Sequence, residues 1–233
     1  MPYFASLKRV KRVATRTIRR TIARAMAPQQ RFLASLLTVA AKLKMRTVSD
    51  RGTEIGVRRE LFTEIIPQGG IGVELGVYKG TLSVFILGAN HPKRLHLVDP
   101  WWEYESQWHW AIGDTSTARS LAVIILVLQE AIEEGIVKLH VGGSTDVLET
   151  FEDDYLDWAY VDSTHAYEQT RQELEILNNK VKSTGLIAGD DWYEDETHRH
   201  HGVCKAVREF LAEHREYELV FCKQTQWALQ QRR

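Results

Sequence analysis

Ile71-Gly72-Val73-Glu74-Leu75-Gly76-Val77-Tyr78-Lys79-Gly80-Thr81 decides how this chain is read. The stretch opens as a short apolar run with one acidic residue near its end. It breaks into a glycine-punctuated turn and resumes from Thr81 to Leu87 with apolar residues at helical spacing. That pattern is strand, glycine loop, helix start. Backbone N–H groups at a helix start favour a polar or anionic ligand. The turn reads Gly76-x-x-x-Gly80, and Tyr78 stands where a dinucleotide site needs a glycine for close approach of the pyrophosphate. NAD is therefore disfavoured. A nucleoside ligand without phosphates suits the loop better, and S-adenosylmethionine is one; the plain alternative is an ordinary strand-to-helix turn.

Working outward, Val57 to Ile66 reads as a helix that leads into the loop Pro67-Gln68-Gly69-Gly70. After the glycine loop, Leu95 to Val98 is a second buried strand ending at Asp99-Pro100. Thr115 to Glu134 is a long helix stopped by Gly135. Val137 to Val141 is a third strand, Leu156 to Val161 a fourth, and Gly185 to Ala188 a fifth. Tyr167 to Val181 and Val203 to His214 are helices, and Tyr217 to Cys222 with Gln226 to Gln230 is a closing strand pair. Alternating strands and helices predict a Rossmann-like, doubly wound α/β fold. Its sheet is expected to have seven strands, mostly parallel, with a C-terminal antiparallel strand.

In such folds ligands sit beyond the carboxyl ends of the strands, near the point where strand order reverses. Polar residues fall at those ends five times: Gly76, Asp99, Ser144, Asp162 and Asp190-Asp191. Asp99 follows Gly80 by 19 residues, the spacing of the acid that bonds ribose hydroxyls in nucleoside-binding α/β folds. Ser144 and Thr145 suit a helix cap, an adenine edge, or both. Asp162, Asp190 and Asp191 end neighbouring strands, and an all-oxygen cluster suits Mg²⁺, Ca²⁺ or Mn²⁺. The alternative is that one faces the cofactor and the others cap helices. His165, three residues after Asp162, is placed to act as a general base or merely to bond a neighbour. His198, His200 and His201 form either a polar lid or an inert loop; their spacing is not that of a zinc motif. Trp101, Trp102, Trp108 and Trp110 suit a pocket wall or ordinary core packing.

The net charge of −1 hides an asymmetry. Residues 1–49 carry 12 Lys and Arg and no acidic residue, leaving 18 basic residues against all 31 acidic ones in the rest. A basic amphipathic helical arm, 1–49, thus precedes an acidic body, 50–233. The arm suits an anionic membrane surface, an acidic partner, a targeting peptide, or packing in a homo-oligomer. Nucleic acid is not the expected partner. Cys204 and Cys222 make no disulfide framework, and the longest uncharged apolar run, Leu121 to Leu128, is too short to span a bilayer. A cytoplasmic protein, peripheral at a membrane surface if the arm docks there, is the expectation.

Four segments together resemble class I S-adenosylmethionine-dependent O-methyltransferases. They are Glu74 to Gly80, Val98-Asp99-Pro100, Val161-Asp162-x-x-His165-x-Tyr167-Glu168 and Gly185 to Asp191. The resemblance is closest to the macrocin O-methyltransferase-like group and extends to catechol O-methyltransferases. It implies methyl transfer from S-adenosyl-L-methionine to a hydroxyl of a small polyhydroxy acceptor (sugar, glycan or phenol), assisted by Mg²⁺ or another divalent cation. It implies cofactor contacts at Glu74, Gly76, Tyr78, Gly80, Asp99, Ser144 and Thr145. By the same resemblance Asp162, Asp190 and Asp191 hold the metal and His165 is the base. The chain departs from the family at Ser163-Thr164, which stand between Asp162 and His165, and at Gly143, where an acid is common.

Overall fold

The computed structural model describes residues 54–101 and 115–232. The basic arm, Trp102, Trp108 and Trp110 lie outside the described residues. The chain enters through α1 (Glu54–Glu60), which widens into a π-helical turn (Leu61–Ile65) before β1 (Ile71–Leu75). Pro67 ends this entry: Ile66 before it is extended, as the ring of a following proline demands. Then come α2 (Thr81–Ala89), β2 (Arg94–Asp99), α3 (Thr115–Val127), α4 (Gln129–Glu133) and β3 (Val137–Val141). The second half runs α5 (Ser144–Glu149), β4 (Leu156–Val161), α6 (Tyr167–Lys180), β5 (Val181–Gly189), α7 (His201–Glu213), β6 (Tyr217–Lys223) and β7 (Gln226–Gln231).

The seven strands form one sheet in the order β3-β2-β1-β4-β5-β7-β6. Every pairing from β3 to β5 is parallel; β7 is antiparallel to both β5 and β6. The chain first builds outward from β1 through β2 to β3, then returns to lay β4 on the other side of β1. That reversal opens a crevice between the carboxyl ends of β1 and β4.

Side chains leave a strand alternately to its two faces, so a sheet covered on both sides carries two cores. One joins Val57, Leu61 and Phe62 to Trp158, Tyr160, Leu95, Leu97 and Ile124. The other joins Val73, Leu75, Ala159 and Val161 to Leu174, Leu177, Val207 and Phe210. No helix among the described residues is long and apolar enough to cross a membrane.

Several element boundaries shift from expectation, two of them most. The helix expected over Thr115 to Glu134 bends at Leu128, whose backbone leaves helical geometry (φ −100°, ψ 15°) while its side chain stays buried. Hydrogen bonds run through the bend, Leu128 N–H to Ile124 O and Ile132 N–H to Leu128 O, both 2.9 Å. The fifth strand begins four residues earlier, at Val181. Its first part, Lys182-Ser183-Thr184, is polar because it lies at the solvent end of the sheet, where burial falls away.

Candidate active site

The glycine loop meets β4 in the crevice. Gly76 has φ +84°, a left-handed conformation that suits glycine, and a Cβ built on it would stand 1.9 Å from the Asp162 carbonyl oxygen. The loop therefore packs backbone to backbone against the turn that carries the candidate chemistry. Gly80 is the N-cap of α2. Tyr78 is left-handed without being glycine (φ 48°) and its side chain is exposed at the rim.

Asp99 braces this loop. Its Oδ2 accepts from Val77 N–H at 2.9 Å and Tyr78 N–H at 2.8 Å, and its Oδ1 from Trp101 N–H at 2.7 Å. A carboxylate offers roughly four lone-pair directions, so these three contacts still leave capacity for a ribose hydroxyl. Trp101 is buried and donates its ring N–H to Tyr78 O at 3.1 Å. It is packing beneath the loop and not a pocket wall.

Glu74 is placed differently from the expected cofactor contact. It is fully buried, its Oε2 accepts from Ser83 Oγ at 2.7 Å, and it presents no surface to the crevice. Burial pushes its carboxyl up to about 8, partly opposed by the Ser83 bond. The folded state thus holds Glu74 protonated, whereas the unfolded chain ionises it at an ordinary carboxylate value near 4.5. Stability from this group is complete below that value and is lost as pH rises towards 8. Glu74→Gln should remove the loss. Urea unfolding at pH 5 and pH 8 should show the wild type falling by a few kcal/mol more than the variant; equal falls would contradict the assignment.

Ser144 opens α5, but Gly143 is the N-cap and the serine makes no capping bond. Its hydroxyl turns inward to Glu173 Oε1 of α6 at 2.5 Å, and Ser163 Oγ donates to Glu173 Oε2 at 2.9 Å. Gln169 Nε2 donates to Ser144 Oγ at 2.8 Å. Burial raises the Glu173 carboxyl, opposed by these bonds. One buried carboxyl therefore ties the loop after β3 to the loop after β4. Thr145 is half-buried beside it. Ser163, which departs from the resembled motif, earns its place as this tie.

Asp162, Asp190 and Asp191 do stand together at the ends of β4 and β5, close enough that the charges of Asp190 and Asp191 act on Asp162. They already have protein partners. Arg58 reaches from α1 to place its guanidinium against the Asp190 carboxylate, and Asp190 Oδ1 accepts from Asp191 N–H at 2.7 Å. Burial, then the Asp190 charge, pushes the Asp162 carboxyl well above the usual range, against the pull of Arg58. Both Asp191 oxygens face imidazoles. The set expected to hold a hard cation is thus compensated by Arg58 and by histidine, and as arranged it does not fit Mg²⁺.

The imidazoles are His165 and His200. His165 Nδ1 lies 2.5 Å from Asp191 Oδ2, and His200 Nδ1 lies 2.8 Å from Asp191 Oδ1. The rings stack, with centroids 4.5 Å apart and planes at 20°. Burial pushes the Asp191 carboxyl up, but the bonds and charges of the two histidines outweigh it and hold it below the usual range. His165 (φ 59°) and Asp191 (φ 63°) are both left-handed. Such conformations cost of order 1–3 kcal/mol and gather where surrounding structure serves function. Tyr78 and Trp101 share the conformation, so the crevice collects one such residue from each of four strand ends.

The other lid histidines have structural partners. His198 stacks on Tyr193 with centroids 3.5 Å apart and accepts from His200 N–H at 3.2 Å; His201 Nδ1 donates to Tyr193 O at 2.9 Å. Sequence reasoning missed Arg58, His200 as a partner of Asp191, and Glu173. A basic residue on the otherwise apolar face of the entry helix was the available signal for Arg58.

The comparisons agree with this architecture. An O-methyltransferase from Bacillus cereus, solved in complex with SAH, shares 13% identity and a TM-score of 0.54 over 91% of this chain and 96% of its own. A candidate O-methyltransferase from Klebsiella pneumoniae shares 16% identity, TM-score 0.52, over 89% and 91%. A candidate rRNA methylase from Clostridium thermocellum shares 14% identity, TM-score 0.54, over 79% and 98%. At these identities the likeness is one of fold. No curated protein matches the sequence. A family model described as a methyltransferase domain matches residues 73–192, just over half of the chain; the match includes the glycine loop, Asp99, His165 and Asp191 but not Arg58 or His200. The chain therefore belongs to the methyltransferase-domain family.

Proposed function

We propose that the protein is an S-adenosylmethionine-dependent O-methyltransferase acting on a hydroxyl of a small polyhydroxy acceptor, a sugar, glycan or phenol. The observation that carries the reading is the His165–Asp191 pair, set across from the glycine loop in one crevice. Bound at that loop, the cofactor supplies a methyl group on a positively charged sulfur. Asp99, with the lone-pair capacity left over from bracing the loop, would hold its ribose. Asp191 fixes the His165 ring by its Nδ1–H, which puts the basic lone pair on Nε2. That nitrogen takes the acceptor's hydroxyl proton, and holding the partners in line supplies much of the acceleration. The magnesium assistance implied by the resemblance is not part of this route, because Arg58 already balances the carboxylates.

The test is S-adenosylhomocysteine formation from labelled S-adenosylmethionine with a panel of vicinal-diol sugars and catechols, in excess EDTA. The reading expects turnover with at least one acceptor under chelation. Turnover that vanishes in EDTA and returns with Mg²⁺ would assign the chemistry to the carboxylates instead. Tight cofactor binding without turnover on any acceptor would favour a non-catalytic nucleoside-binding module.

A further inference from the structure

We infer that His165, Asp191 and His200 form a binding site for a borderline divalent cation, Zn²⁺ or one of its first-row neighbours, in place of the all-carboxylate magnesium site. The three residues come from three segments: the loop after β4, the end of β5, and the lid before α7. One donor atom from each, two imidazole nitrogens and a carboxylate oxygen, lies within 4.8 Å of the other two. The stacking of the two rings is what lets both Nδ1 atoms face the same carboxylate. The side chains are 24%, 14% and 18% exposed, so an ion reaches them from the crevice without unfolding the lid.

Donor chemistry sets the ion. Imidazole suits zinc, iron, cobalt and nickel, whereas Mg²⁺ prefers oxygen throughout. Three protein ligands leave part of the coordination sphere open to an outside oxygen. The other comparable cluster among the described residues, Glu175, Glu213 and His214, already contains a cation: Arg171 donates to Glu213 at 2.8 Å and stands 3.5 Å from Glu175.

Loading the site has a chemical consequence. Each Nδ1–H now directed at Asp191 must give way to a lone pair on the metal, so any proton a loaded ring keeps is on Nε2. A loaded His165 then has no basic nitrogen for an acceptor hydroxyl, so the same ion that fits the site silences the proposed base. Metal binding itself does not depend on the methyl-transfer reading.

The experiment titrates chelator-stripped full-length protein with Zn²⁺, Co²⁺ and Mg²⁺ at neutral pH. Zn²⁺ and Co²⁺ should bind once per chain, with Mg²⁺ far weaker, and Co²⁺ should shift proton resonances of two imidazoles. His200→Ala, chosen because it lies in the lid and outside both cores, should weaken Zn²⁺ by at least about tenfold, the lower end of what even an outer partner of a metal ligand is worth. Asp191→Asn should do the same, and His214→Ala should not. Zn²⁺ affinity unchanged in His200→Ala, zinc lost in His214→Ala alone, or Mg²⁺ binding that depends on Asp162 and Asp190 would each overturn the inference. Should an acceptor be found, turnover should fall as Zn²⁺ loads and recover with chelator. Absence of turnover before any metal is added would instead count against the methyl-transfer reading and leave the titration result standing.

Discussion

His165→Ala should lower the turnover number by about 10²–10⁴-fold, the usual worth of a general base, while leaving S-adenosylhomocysteine affinity nearly unchanged. The ring's position and its anchor set this role. Asp191 fixes Nδ1 at 2.5 Å and is itself kept ionised by its two histidines. The ring lies beyond the carboxyl end of β4, whereas the groups assigned to the nucleoside sit on the loops after β1 and β2. Asp191→Asn tests the orientation separately. An amide side chain can donate to Nδ1 and so favour the tautomer that carries its proton on Nε2, the wrong nitrogen. It should therefore slow the reaction without weakening the cofactor. Wild-type turnover in that variant would remove His165 from the chemistry.

Gly76→Ala should unfold several kcal/mol more easily and should no longer bind the nucleoside. Two costs add. A left-handed backbone costs an alanine roughly 1–2 kcal/mol. The new methyl would also stand 1.9 Å from the Asp162 carbonyl, which cannot easily retreat because Asp162 N–H is bonded to Leu75 O at 2.9 Å. Gly135→Ala is the control. Gly135 has φ +79° but nothing within 4 Å of its would-be Cβ, so it should show only the conformational cost. Urea midpoints of the two variants measure the difference. Equal losses would mean that the close approach of the β1 and β4 loops is not the constraint described.

The difference between what could and could not be read beforehand follows from range. Strands such as Leu95 to Val98 and the turn at Gly76 are local patterns, and they came out where the periodicity put them. So did the gathering of polar residues at strand ends, because a parallel sheet collects them on one edge. Partnerships across the chain were not legible. Arg58 and Asp190 are 132 residues apart, and nothing local to Arg58 says that it balances a buried carboxylate. Ser144 looked like a cap or an adenine contact because both are local roles; it turns to Glu173, which lies 29 residues on. Glu74 sits in the glycine-loop motif, yet strand alternation turns it away from the crevice and into the core with Ser83. The start of β5 was missed for a third reason: polar residues at a solvent end carry no strand signal.

The central claim, a nucleoside site at the glycine loop of a methyltransferase, is tested most directly by isothermal titration of the full chain with S-adenosylhomocysteine, with NADH as comparison. The account predicts one site per chain with micromolar affinity, competed by S-adenosylmethionine, abolished in Gly76→Ala, and no heat from NADH. Tight NADH binding with no response to S-adenosylhomocysteine would contradict it.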